Sequence, residues 1–174
     1  MTSELIYTAG VYLAEGISVT LTDARKVSIG AWKDFQSRFI TDQELQQRAE
    51  KAEGIAIICG KVSGGLEVID IDCKYDTTGN LFNQLMDLIG PLADKLVIGK
   101  TRSGGYHLYY RCDIINGNLK LARRPATDQE KADNPHVKVM VLIETRGEGG
   151  YVVAPPTTGY SFISGGIEDI TSIT

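Results

Sequence analysis

Apolar residues recur at helical spacing early in the chain and at alternating spacing later. Leu5, Ala9 and Tyr12 predict a helix over residues 4–15, stopped by Gly16. Ile17 to Leu21 predicts a strand, and Val27 to Phe35 holds the single tryptophan, Trp32. Thr41-Asp42-Gln43-Glu44 has the capping-box pattern and Gly54 is a natural stop, so a helix is expected near 42–53. Ile55 to Cys59 and Leu66 to Asp72 read as strands joined by a turn containing Gly and Ser. Leu81, Leu85 and Leu88, with Phe82, Met86 and Ile89, mark an amphipathic helix ended by Gly90-Pro91. Lys95 to Lys100 and Tyr106 to Cys112 flank Arg102-Ser103-Gly104-Gly105 as a hairpin would. Residues 113–136 are polar and turn-rich and predict a long loop. Val137 to Glu144 and Gly150 to Ala154 predict a second hairpin, closed by Pro155-Pro156, and Tyr160 to Ile163 a last short strand. Helices lead and strands follow, so the expectation is one α+β domain over residues 1–174.

Chemistry enters at Val68-Ile69-Asp70-Ile71-Asp72. On a strand, Asp70 and Asp72 share one face while Ile69 and Ile71 point into a core. Asp is disfavoured in strands, and clustered carboxylates repel unless a cation lies between them. Metal ligation is therefore the reading of this pair, against the plainer one of two solvent-facing acids. Glu144, ending the apolar run Val139 to Ile143, is either a third ligand from a neighbouring strand or a strand-end acid facing water. Ser103-Gly104-Gly105 offers a hydroxyl and free backbone N–H groups to an anion, and is also simply a tight turn. His107 sits two residues beyond it, on the strand face shared with Tyr109, where it could contact phosphate oxygens. Arg146, Arg102 and Lys61 are turn cations that could also meet phosphate, and His136 lies in the polar loop without an assignment.

Composition narrows this little. A length of 174 residues suffices for a buried core, and a net charge of −4 gives no sign of a nucleic-acid partner, although it says nothing of a local basic groove. Cys59, Cys73 and Cys112 lack C-x-x-C spacing and read as reduced, mostly buried thiols. No secretory signal or membrane-length apolar stretch is visible, so a cytoplasmic setting is expected and a membrane partner is not.

Taken in order, three segments resemble a known family. They are Val68 to Asp72, Thr101-Arg102-Ser103-Gly104-Gly105-Tyr106-His107, and Ile143 to Pro156, which runs from an acid through a glycine-rich turn to Val-Ala-Pro-Pro. The lead-in from Gly54 to Leu66 is similar too. The chain resembles the bifunctional primase–polymerase domain of the archaeo-eukaryotic primase superfamily, from about Trp32 to its end. The resemblance implies a fold that joins an α/β portion to an RRM-like antiparallel sheet bearing the acids. It implies a template-directed nucleotidyltransferase, with Asp70, Asp72 and Glu144 binding two divalent metals, Mg²⁺ or Mn²⁺. Ser103, Gly104, His107 and Arg146 would hold the incoming dNTP or NTP, with His107 counted among the catalytic set. The family's third acid is often Asp, where this chain has Glu144. No Cys/His cluster suggests a zinc stem. The implied partners are a single-stranded DNA template and a primer, together with a helicase and a C-terminal helical primase segment, fused or separate. The chain is accordingly expected to be a fragment of a longer replication protein from a bacterial, phage or plasmid context. Two alternatives stay open at this point: a metal-dependent glycosyltransferase using the D-x-D pair, and a catalytically inert module that binds nucleic acid or nucleotide.

Overall fold

A computed structural model describes residues 2–173. In chain order the elements are α1 (Thr2–Ala14), β1 (Val19–Thr22), α2 (Asp42–Ala49), β2 (Gly54–Ile58), β3 (Leu66–Ile71), α3 (Leu81–Ile89), β4 (Val97–Lys100), β5 (Tyr106–Arg111), β6 (Lys120–Pro125), α4 (Asp128–Asp133), β7 (Val139–Arg146), β8 (Tyr151–Ala154) and β9 (Ser161–Ser164). The strands form two antiparallel sheets, ordered β1-β2-β8 and β6-β7-β3-β5-β4-β9. The architecture is α+β, as the patterning predicts. In the larger sheet, β3-α3-β4-β5-α4-β7 follows a βαββαβ path with β7-β3-β5-β4 side by side, and β6 and β9 extend its edges.

The larger sheet is covered on both faces. Val68, Val97 and Tyr109 on one face join Ile55, Ile57 and Ala154 of the smaller sheet, together with Leu5, Ala9 and Leu45 from the first two helices, in the main core. Ile71, Leu108 and Ile143 on the other face form a second core under Leu81, Phe82, Leu85, Met86 and Ile89 of α3. This accounts for the run Val68-Ile69-Asp70-Ile71-Asp72: its odd and even positions serve different layers.

Four expectations fail in whole or in part. Residues 113–136 are not a loop, since they contain β6 and α4. β6, in which Lys120, Arg123, Arg124 and Pro125 accompany only Leu121 and Ala122, is an edge strand with an irregular register against β7, and it needs only one neighbour to satisfy its ladder. α4 is wholly polar, but Thr127 and Glu130 close a reciprocal capping box at its start. The second hairpin also does not form. β7 runs on to Arg146 with β3 on one side and β6 on the other, so both its edges are used. The chain then turns at Gly147 to Gly150, and β8 pairs with β2 in the smaller sheet. β2 is buried along its whole length and requires a partner on each edge, which β1 and β8 provide. The helix expected over 42–53 stops at Ala49, four residues before its predicted end. Of the three thiols, Cys59 is buried, whereas Cys73 and Cys112 are only half-buried, and all three are free.

Candidate active site

One row of the larger sheet carries most of the predicted chemistry. Asp70 on β3 is paired directly with Glu144 on β7 and with His107 on β5. Lys120 lies beyond Glu144 on β6, and Gly99 beyond His107 on β4. Asp72 follows the end of β3, but its amide still donates to the Leu142 carbonyl, so it keeps the strand's course and the Asp70 face. Carboxylate oxygens of Asp70, Asp72 and Glu144 all lie within 4.8 Å of one another. Their side chains remain 17, 24 and 15% exposed, sunk into the surface yet reachable by an ion.

Three basic side chains answer these acids. Arg146, two residues past Glu144 on the same strand face, hydrogen-bonds Glu144 and places an Nη2 3.4 Å from Asp70 Oδ2. Lys74 pairs with Asp72 at 3.1 Å, and His107 Nε2 stands 3.5 Å from Asp70 Oδ1. Burial pushes the Asp70 carboxyl upward, but His107 and Arg146 outweigh it and hold the group below the ordinary carboxylate value. His107 is itself buried, and its Nδ1 is 3.1 Å from the Tyr109 hydroxyl, leaving Nε2 as the nitrogen turned toward the acids. Burial also raises the Tyr109 phenol well above its usual range, so it stays a neutral partner for the ring.

Asp70 and Asp72 open onto a cavity of about 480 Å³ that both sheets help to line, within the range of small-molecule sites, while Glu144 stands outside its lining. Asp70, Asp72, Ser103, His107 and Arg146 border it. Ser103 reaches it on the β4–β5 turn, where the Thr101 hydroxyl stands 3.4 Å away. Gly105 brings that turn hard against β3: a Cβ there would collide with the Ile71 carbonyl. Gly104 does not border the cavity. It occupies the left-handed region at φ +81° and faces a smaller pocket beside α3, so its contribution is to the turn and not to this site. Arg102 and Lys61 are also absent from the lining. Arg102 donates instead to the Thr158 and Ala24 carbonyls, stapling three loops together, and the Lys61 amide donates to Glu148.

Several lining residues escape sequence reasoning: Lys26, Trp32, Lys74, Asn118, Tyr151 and Tyr160. Lys74 lies in the 3-10 turn Cys73–Tyr75 just past Asp72, where the strand period has ended and no longer marks it. The others come from segments distant in sequence, and no local pattern marks them.

An all-oxygen set of three carboxylates suits hard divalent ions such as Mg²⁺ or Mn²⁺. A guanidinium already lying between two of these acids shows that the cluster draws positive charge. The class defined by this fold and site is an α+β protein with a carboxylate cluster at the mouth of a polar cavity between two sheets. The chain belongs to the family of bifunctional DNA primase/polymerase N-terminal domains, which it matches over residues 9–172. No curated protein matches it significantly. Family membership supports a nucleotidyltransferase role of the primase–polymerase kind, and the acidic cluster could hold a divalent metal. No helix among the described residues is long and apolar enough to cross a membrane.

Proposed function

We propose that this chain is the catalytic domain of a DNA primase–polymerase, adding nucleotides to a primer 3′ end under the direction of a single-stranded DNA template. The observation that carries the proposal is the convergence of Asp70, Asp72 and Glu144, two of which, Asp70 and Asp72, line a cavity whose wall also bears Ser103 and His107. In the reaction the primer 3′ oxygen attacks the α-phosphate in line and pyrophosphate leaves. Bound Mg²⁺ or Mn²⁺ would supply charge neutralisation and a more acidic primer hydroxyl. Asp70, Asp72 and Glu144 would hold that metal.

The chain's own groups then bind and orient. Ser103 donates its hydroxyl to a phosphate oxygen. His107, fixed by Tyr109 at Nδ1, presents Nε2 at the acid end of the cavity, where it serves as a phosphate clamp and not a general base. Arg146, which bridges Asp70 and Glu144, would be free to turn to the triphosphate with those acids neutralised by a bound metal. Positioning and charge neutralisation carry most of the acceleration in such transfers.

The test is primer extension on a primed single-stranded template, with dNTPs or NTPs and with Mg²⁺ or Mn²⁺. Extension that depends on metal and template is the expected result. Metal-dependent nucleotide binding without any extension would instead leave the chain as a binding module.

A further inference from the structure

The charges of the cavity do not balance in the way its acids suggest. Arg146, Lys74 and His107 are each committed to a carboxylate. Lys26 also lines the cavity, yet it joins no ion pair among the described residues. Its Nζ lies over the Tyr160 ring, 5.4 Å from the centroid, and that ring is 6.1 Å from the His107 ring. Neighbour by neighbour the wall runs from the Asp70 carboxylate to the His107 imidazole, the Tyr160 phenol and the Lys26 ammonium, which is the unpaired cation.

Lys26 is also held there at a cost. It has φ +69°, the left-handed region that side-chain-bearing residues avoid, and no other non-glycine residue among those described does so. The surrounding loop enforces the conformation. Asp23 accepts the Lys26 amide on its carbonyl and the Arg25 and Val27 amides on one carboxylate oxygen. The Tyr151 hydroxyl donates to the Lys26 carbonyl at 3.1 Å, and Arg102 ties Ala24 to Thr158. Strain kept by so many contacts at a cavity wall points to a role for the side chain it orients.

We propose that Lys26 binds the terminal phosphates of the incoming nucleoside triphosphate and makes the cavity select triphosphates over shorter nucleotides. This inference rests on the nucleotide reading of the same cavity. With the α-phosphate at the acid end and Ser103 and His107 beside the chain of phosphates, the β- and γ-phosphates extend toward the one cation that has no carboxylate to neutralise.

The experiment is calorimetric titration of the protein with dATP, dADP and dAMP in Mn²⁺, for wild type, Lys26→Gly and Lys26→Arg. Glycine is at ease at positive φ, so Lys26→Gly removes the ammonium and keeps the loop. The expected result is a loss of dATP affinity on the order of ten- to a hundredfold in Lys26→Gly, the scale of a charged hydrogen bond. dAMP binding should be unchanged, and Lys26→Arg should retain most of the dATP affinity. Unchanged dATP affinity in Lys26→Gly, or an equal loss for dATP and dAMP, overturns the assignment while leaving the nucleotide site standing. A wild-type protein that binds none of the three in Mn²⁺ overturns both this inference and the function it rests on.

Discussion

At the scale of single residues, the site depends on what the strand period does to neighbours. Val68 and Asp70 share a face, yet the first is sealed in the core between the sheets and the second stands at the cavity mouth. That pair was legible in the sequence because two Asp residues in an apolar strand contradict strand preference and so call for a reason. Glu144 could not be assigned from its own strand, because its partner across the sheet is 74 positions away and register is a tertiary property. Lys26 and Tyr160 were invisible for the same reason. A residue of no chemical note also yields a prediction. Thr22 Oγ1 is buried without a hydrogen-bond partner. Thr22→Val removes the unpaired hydroxyl at nearly constant shape and suits a strand, so stability should rise by about 1 kcal/mol. Denaturant unfolding of the two proteins measures it, and a destabilised variant would mean that the hydroxyl is in fact satisfied.

At the scale of elements, helix starts were readable where side chains cap them, and the local β4–β5 hairpin was readable from its turn, but the long-range pairings were not. Thr41 and Glu44 close the predicted capping box of α2. The same signature at Thr127 and Glu130 starts α4, but without an apolar face it drew no prediction. The Arg124 guanidinium, followed by the Thr127 backbone, holds the Glu130 carboxyl down to about 2. A depressed carboxylate supports the folded form above its ordinary value, and that support fades as pH falls through the folded value. α4 should therefore hold its start at neutral pH and loosen only as the pH approaches about 2. An NMR titration of Glu130 with the α4 amides checks this, and a midpoint at the ordinary value for Glu would contradict the pairing. The β4–β5 turn offers a sharper case. Gly105 is not among the glycines of positive φ, but it has no room, because a Cβ would strike the Ile71 carbonyl. Gly105→Ala should cost about 1–3 kcal/mol of stability through overpacking. It should also weaken nucleotide binding by pushing Ser103 away from the acids. Thermal unfolding and nucleotide titration of the variant would show both, and an unchanged protein would mean that the turn has slack.

At the scale of the molecule, function follows from how two sheets share one chain. β7 carries Glu144 and Arg146 in the larger sheet, and five residues later β8 has crossed to the smaller one. The cavity takes walls from both, so local patterns named the acids and the turn but could not say that Trp32, Tyr151 and Val153 face them. The hairpin expected from β7 and β8 failed for this very reason: an apolar β2 needed a second edge more than β7 did. Family membership supports a nucleotidyltransferase role of the primase–polymerase kind, and under the proposed function Asp70, Asp72 and Glu144, brought together by the pairing of β3 and β7, hold its metal.

The most direct measurement is primer extension with Mg²⁺ or Mn²⁺ by wild type, Asp70→Asn, Asp72→Asn and Glu144→Gln, with circular dichroism to confirm that each variant is folded. The account predicts extension by wild type and a loss of several kcal/mol of transition-state stabilisation, roughly a thousandfold in rate or more, in every variant. A folded Asp70→Asn or Asp72→Asn protein that extends primers at near the wild-type rate would contradict it.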